Sequence, residues 1–232
     1  MLQQRKKCPQ VSAVLFDMDN TLFDFVQAQL AGCRAILDHL GLADDEQDLF
    51  AYFRRPVHGF EHHDNIRDFL TDRDCFTVRN FAECSAVYDA MKLSAVRPFD
   101  GIDGVLSRLN RQGVPLAIVT DARDGNAVKR LDKARLHQYF SAVISPDISG
   151  AAKPDPASFC LACNFLRADL EATVLIGDSI RRDIEPAQAL CMKTVYAQYG
   201  DRYASGLTSS CVPDFVAKEV QDISAILNRL LS

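Results

Sequence analysis

The hydrophobic residues of the chain cluster in six short and nearly continuous apolar runs. Runs of this kind are typical of strands that are covered on both faces, as in a parallel sheet. The predicted strands are 12–17, 114–121, 140–145, 172–178, 193–199 and a weaker one at 213–217.

Segments with helical periodicity separate these runs. The predicted helices are 101–113, 124–136, 155–167, 181–191 and 222–231. Strands that alternate with helices predict an α/β fold, here a Rossmann-like, doubly wound parallel sheet with helices on both faces.

Residues 24 to about 96 interrupt this alternation, because the segment contains helical patterns and no convincing strand. The predicted helices are 24–41, 45–55, 61–73 and 78–93. Seven aromatic residues between Tyr52 and Tyr88 are enough for a small core of its own. We therefore expect a core domain over 1–22 and 97–232, interrupted by an all-helical domain over 23–96.

The composition excludes several classes of protein. The 232 residues are 48% hydrophobic and 25% charged, with a net charge of −5, so no nucleic-acid partner is expected. No apolar run approaches the roughly 18 residues of a membrane span, and the basic N-terminus lacks the apolar stretch of a signal peptide. We expect a cytoplasmic monomer or homodimer that does not contact membranes.

The eight cysteines then read as reduced thiols. One pair, Cys160 and Cys163, has the Cys-x-x-Cys spacing, but no second pair follows, so core packing is favoured over zinc.

Polar and charged side chains follow four of the predicted strands. In parallel α/β sheets, ligands bind outside the carboxyl ends of the strands. The residues at these ends are Asp17, Asp19 and Thr21, then Thr120 and Asp121, then Lys153, then Gly177, Asp178 and Asp183.

This set resembles the motifs of the haloacid dehalogenase superfamily. The motifs are Asp-x-Asp-x-Thr at 17–21, a Thr after the second strand, Lys153 before Pro154, and Gly-Asp-x4-Asp at 177–183. All four are present in order, and the helical insert lies where that family has a helical cap. The resemblance implies a phosphohydrolase that acts on a small phosphorylated metabolite, similar to phosphoglycolate, glyceraldehyde-3-phosphate or nucleoside-monophosphate phosphatases.

The resemblance also implies roles for the acidic residues. Asp17 would be the nucleophile that forms an aspartyl-phosphate, and Asp19 the general acid and base. Mg²⁺ would be held by Asp17, Asp178 and the backbone carbonyl of Asp19. Asp183 would support the metal indirectly, or would only lie in the first turn of a helix.

Three further residues are expected to contact the substrate phosphate: Thr120, Asp121 and Lys153. For Asp121, orienting its loop or simple solvation stays open. Capping of the next helix could explain one aspartate of the first motif, but not both together with Asp178.

Single residues of the motifs also bear on other activities that the family pattern allows. Dehalogenases lack the second aspartate of the first motif, so Asp19 argues against that activity. A phosphomutase shares Asp-x-Asp and stays open, as does a non-catalytic small-molecule-binding member, whose mark would be the loss of one of these residues.

The insert carries a basic stretch that could meet the distal part of a substrate or could equally be a solvated face. Its residues are Arg54, Arg55, His58, His62, His63 and Arg67. A helix would splay the adjacent His62 and His63 apart, which disfavours zinc there. Asp24 is predicted to cap or to begin the first insert helix.

Overall fold

A six-stranded parallel sheet forms the centre of the larger part of the molecule. The computed structural model describes residues 11–202 and 211–231. The strands are β1 (Ala13–Phe16), β2 (Leu116–Val119), β3 (Ala142–Ile144), β4 (Thr173–Gly177), β5 (Lys193–Ala197) and β6 (Phe215–Ala217). All six predicted strands are confirmed. Each is shorter than predicted, although β5 begins and β6 ends at the predicted residue.

The strand order is β3-β2-β1-β4-β5-β6. The chain moves outward from β1 to β3, then returns to pair β4 with β1 and moves outward in the other direction. Crossovers between parallel strands are right-handed in nearly all proteins, and in the two halves of such a sheet they place the connecting helices on opposite faces. The predicted doubly wound fold is confirmed, and its topological switch point lies between β1 and β4.

The helices of this part are mostly those predicted. They are α5 (Ile102–Arg111), α6 (Asp124–Ala134), α7 (Pro146–Ser149), α8 (Ala157–Leu166), α9 (Glu185–Ala189) and α10 (Val220–Leu231). The predicted helix over 181–191 is wrong in form, because a π-helical turn (Ile180–Ile184) precedes the short α9. One face of the sheet packs on α8, where Leu15 and Leu175 meet Phe159 and Cys163.

Residues 24–97 form a second compact unit, and it is all helical. The helices are α1 (Phe25–Leu40), α2 (Glu46–Phe53), α3 (Asp64–Asp72) and α4 (Val78–Ala95). Asp24 is confirmed as the cap of α1, since its side chain accepts a hydrogen bond from the Gln27 backbone N–H at 2.9 Å. A core of its own, with Phe50, Phe53, Phe69 and Tyr88, stabilises this unit.

The chain leaves and re-enters the sheet-containing unit at neighbouring positions. Phe23 and Pro98 form an antiparallel bridge, and the Phe99 N–H donates to the Leu22 carbonyl at 2.9 Å. The sheet-containing unit comprises Met1–Phe23 and Pro98–Ser232.

Within 11–202 and 211–231, none of the helices has both the length and the apolar character that crossing a membrane would require. The seven cysteines of these ranges are all free. Cys163 of α8 is buried in the hydrophobic core, as predicted, while Cys160 of the same helix is only partly buried.

Candidate active site

Three aspartates meet at the switch point of the sheet. Asp17 directly follows β1, and its backbone N–H donates to the Ile176 carbonyl of β4 at 2.8 Å. Asp178 directly follows β4, and Asp183 lies in the π-helical turn behind it. One carboxylate oxygen of each lies within 4.8 Å of the others, and all three residues are buried. The sequence motifs at 17 and 178–183 are therefore brought together.

Glycine at 177 is what lets Asp183 reach this position. A Cβ atom at Gly177 would lie 2.6 Å from Asp183 Cγ, closer than any side chain tolerates. The Asp183 Oδ2 accepts the Ser179 backbone N–H at 3.0 Å, which fixes the carboxylate inside its own turn. Single π-helical turns are rare and are frequently found at functional sites.

The carboxylate of Asp178 is buried in surroundings that disfavour its negative charge. Burial first, then the charges of Asp17 and Asp183, raises the pKa of Asp178 well above its usual value. Its Oδ1 accepts no hydrogen bond from the residues of 11–202 and 211–231. A cation bound here would offset both costs, and Mg²⁺ prefers carboxylate oxygens as ligands. The donor set therefore fits a divalent metal held by Asp17 and Asp178.

Lys153 supplies a positive charge to the same cluster. Its Nζ donates to Asp17 Oδ1 at 2.5 Å and to Asp183 Oδ1 at 2.6 Å, and its side chain is 1% exposed. Burial alone would lower the pKa of Lys153, but the carboxylates of Asp17 and Asp183 outweigh it and raise the pKa above the usual value. The residue is therefore an ammonium ion in contact with the predicted nucleophile.

Thr120 follows β2, the strand next to β1, and is 2% exposed. Its Oγ1 accepts the Ala122 backbone N–H at 3.1 Å. Within the described parts of the chain, the hydroxyl donates to no acceptor, so it is available to an oxygen of a ligand.

The carboxylate of Asp121 connects three strand-end loops. It accepts the Lys153 backbone N–H at 2.8 Å and Arg182 Nη1 at 3.2 Å. This negative group is engaged with the protein, so a contact with phosphate at Asp121 would have to come from its backbone N–H. Phosphate binding by Asp121 stays a prediction, and the orienting alternative describes its observed contacts.

The turn after β1 presents Asp19. Asn20 adopts the left-handed conformation with φ of 62°, and Thr21 Oγ1 donates to Asp17 Oδ2 at 3.2 Å. A Cβ at Gly200, beyond β5, would lie 1.7 Å from the Asn20 carbonyl oxygen, so the end of β5 packs directly on this turn. Tyr199 also donates to the Thr21 carbonyl at 2.6 Å.

Arg130 of α6 is a residue that the sequence analysis missed. Its Nη1 donates to Asp19 Oδ2 at 2.6 Å, and it is 3% exposed. A signal was present, because position 130 belongs to the buried face of α6 with Ala127, Leu131 and Ala134. An arginine is rarely buried without a charged partner.

The basic residues of the helical unit are engaged with its own acidic residues. Arg55 and His58 contact Asp68, and Arg67 and His62 contact Asp64. His63 contacts Asp89. His58, His62 and Asp64 have ligand atoms within 4.8 Å of one another, a grouping that the adjacency of His62 and His63 did not reveal. Arg67 already neutralises Asp64, the one carboxylate of this cluster, and Arg55 neutralises the neighbouring Asp68. The cluster therefore offers a dication no net negative charge.

The chain is similar to known proteins in sequence and in fold. The family model for haloacid dehalogenase-like hydrolases matches residues 14–197, a span that includes all the predicted site residues from Asp17 to Asp183. A glyceraldehyde 3-phosphate phosphatase of Pyrococcus abyssi is 31% identical over 202 residues, which cover 82% of each chain. A phosphoglycolate phosphatase of Neisseria meningitidis is 28% identical over 218 residues and 92% of each chain. The crystal structure of a predicted phosphoglycolate phosphatase from Haemophilus somnus has a TM-score of 0.73 at 21% identity, covering 95% of this chain and 100% of that chain.

Proposed function

Because the chain belongs to the haloacid dehalogenase-like hydrolases, we propose that it is a Mg²⁺-dependent phosphatase that hydrolyses a small phosphorylated metabolite. The observation that carries the proposal is the cluster of Asp17, Asp178 and Asp183 at the switch point, in which the Lys153 ammonium contacts Asp17 and Asp183. A phosphate monoester is a dianion, so a carboxylate can approach it only where cations offset the charge. The named relatives are phosphatases of small metabolites, which supports this substrate class.

Asp17 and Asp178 would hold the metal together with the backbone carbonyl of Asp19. When bound, Mg²⁺ would neutralise charge on the phosphoryl oxygens and on the carboxylates. Lys153 supplies a second positive charge beside Asp17, and the Thr120 hydroxyl donates to a phosphoryl oxygen.

The reaction proceeds in two displacements at phosphorus. An Asp17 oxygen forms a bond to phosphorus while the bond to the leaving oxygen breaks, and Asp19 donates a proton to that oxygen. Asp19 then takes a proton from water, whose oxygen attacks phosphorus. The bond between phosphorus and Asp17 breaks, and inorganic phosphate leaves with Asp17 regenerated.

Asp19 separates this chemistry from dehalogenation, because the alkoxide that leaves a phosphate ester needs a proton and a halide does not. The helical unit over residues 24–97 would act as the cap that selects the substrate and excludes water.

Phosphate release tests the proposal. Purified protein is assayed on para-nitrophenyl phosphate and on a panel of phosphorylated glycolate, glycerol, trioses, sugars and nucleotides, with Mg²⁺ and with a chelator. We expect turnover that the chelator abolishes and that Asp17→Asn lowers by about 10³-fold or more, as loss of a nucleophile does. Asp24→Asn is the matched control, because the Asp24 carboxylate caps α1 and is not part of the cluster of Asp17, Asp178 and Asp183.

Other results would point elsewhere. Isomerised product without phosphate release would indicate a phosphomutase. A folded protein that releases no phosphate from any substrate of the panel would favour a non-catalytic binding role.

A further inference from the structure

Arg130 is a buried arginine on the sheet-facing side of α6. Residues 127, 130, 131 and 134 share that face by helical spacing, and the other three are apolar: Ala127, Leu131 and Ala134. A residue at this position ordinarily packs in the core, yet the chain places a guanidinium there that is 3% exposed. Such a group needs a charged partner inside the protein.

Its partner is Asp19, which is 111 residues away in sequence. Arg130 Nη1 lies 2.6 Å from Asp19 Oδ2, a short charge-assisted hydrogen bond. The contact forms because α6 follows β2, the strand that pairs with β1.

The two aspartates of the first motif therefore have different cationic partners. Lys153 contacts Asp17 at 2.5 Å, whereas Arg130 contacts Asp19 at 2.6 Å. The planar guanidinium presents donors in a fixed geometry, so it restricts the direction of a carboxylate more than a lysine does. The Asp19 carboxylate is therefore held from the side of α6, by a residue outside the cluster of Asp17, Asp178 and Asp183.

We propose that Arg130 is a positioning residue for catalysis, which fixes the Asp19 carboxylate in the place where it exchanges protons with the leaving group and with water. This role rests on the proposed function, since it presupposes that Asp19 is the general acid and base. In this role Arg130 acts on catalysis through Asp19, so the loss of kcat on its removal should reflect how far the Asp19 carboxylate is displaced.

A double-mutant cycle tests this role. The variants are Arg130→Met, which keeps an apolar stem of similar length, Asp19→Asn, and the two combined. kcat and KM are measured on para-nitrophenyl phosphate and on glycerol phosphate, and thermal unfolding is followed for each variant. Lys129→Met is the matched control, because this lysine is the exposed neighbour on the same helix.

We expect Arg130→Met to lower kcat on glycerol phosphate by about 10–100-fold with little change in KM, since misplacement of a catalytic group costs about this much. The loss should be smaller on para-nitrophenyl phosphate, whose leaving group needs less protonation. The double variant should be no slower than Asp19→Asn alone, and Arg130→Lys should recover part of the lost kcat.

Losses that multiply in the double variant, or that are equal on both substrates, would overturn the role and leave Arg130 a purely structural residue. If Arg130→Met does not fold, the same cycle is run with Arg130→Lys and judged by the same criterion. A folded wild-type protein without turnover would overturn the proposed function and, with it, this inference. A turning-over wild type with additive losses would overturn the inference alone.

Discussion

The Lys153 ammonium should be a major source of stability in the sheet-containing unit. Replacing Lys153 by Met keeps most of the side-chain volume but leaves Asp17 and Asp183 buried without the cation that now lies 2.5 and 2.6 Å from them. The three carboxylates of Asp17, Asp178 and Asp183 then lie together without the lysine that offsets their charge.

The expected magnitude follows from the burial of the pair. Removing one partner of a buried ion pair costs about 3–5 kcal/mol, because the other partner stays desolvated and uncompensated. For a chain of this size, 1 kcal/mol shifts Tm by about 2–4 °C, so Lys153→Met should lower Tm by about 6–20 °C in a chelator. Bound Mg²⁺ would offset part of the excess negative charge, since a ligand at 100 times its Kd adds about 2.7 kcal/mol.

Thermal unfolding by circular dichroism, with a chelator and with Mg²⁺, measures the effect. Lys193→Met is the matched control, because Lys193 pairs with Asp214 at 3.5 Å on the surface, with side chains 40% and 30% exposed. A surface pair contributes about 0–1 kcal/mol, so this variant should lose no more than about 4 °C. If the two variants unfold within about 2 °C of each other in the chelator, the electrostatic account of the cluster is wrong.

Three further predictions follow from the same geometry. Burial, and then the charges of Asp17 and Asp183, raise the pKa of Asp178. The folded chain therefore keeps a proton on Asp178 at pH values where the unfolded chain has lost it. The free energy of unfolding in a chelator should then fall as the pH rises from about 4 toward neutrality. Urea unfolding at several pH values checks this, and an unchanged slope in Asp178→Asn would contradict it. Gly200→Ala should lower kcat by displacing the turn after β1, since its Cβ would lie 1.7 Å from the Asn20 carbonyl oxygen; a wild-type kcat would show that the turn is not held there. Gly32→Ala should destabilise the helical unit by about 1–3 kcal/mol, because its Cβ would lie 2.6 Å from the Tyr88 ring, and urea unfolding with no change in midpoint would refute the close packing.

The elements of the fold were largely readable from the sequence, because β1, β2 and β4 are apolar runs buried along their whole length and β5 is buried beyond its first residue. The ends of the strands were less readable. β1 and β2 stop one and two residues before their predicted ends, although Asp17 and Thr120 still donate their backbone N–H groups to carbonyls of the neighbouring strands. The π-helical turn at Ile180–Ile184 was not readable, because its reason is the packing of Asp183 against Gly177, which only the folded chain shows.

The candidate site was predicted where local motifs carried it and missed where distant partners did. Asp17, Asp178 and Lys153 stand in short motifs at strand ends, and the sheet brings them together. The Asp121 contacts, by contrast, are with residues 32 and 61 positions away, so the sequence offered no means of choosing between phosphate and protein partners. Arg130 is a charged residue on the otherwise apolar face of α6, a pattern that indicates a buried acidic partner without showing which residue it is.

The pairing of Phe23 with Pro98 and of Leu22 with Phe99 has a consequence for how such a chain can change over evolutionary time. Both ends of the helical segment leave the sheet-containing unit at one place, so the segment can be lengthened, shortened or exchanged as a single block without altering the strand order. Closing a longer loop at fixed ends costs little additional entropy. The chemistry proposed for the strand ends and the selectivity proposed for residues 24–97 could therefore diversify separately, as two heritable modules within one reading frame.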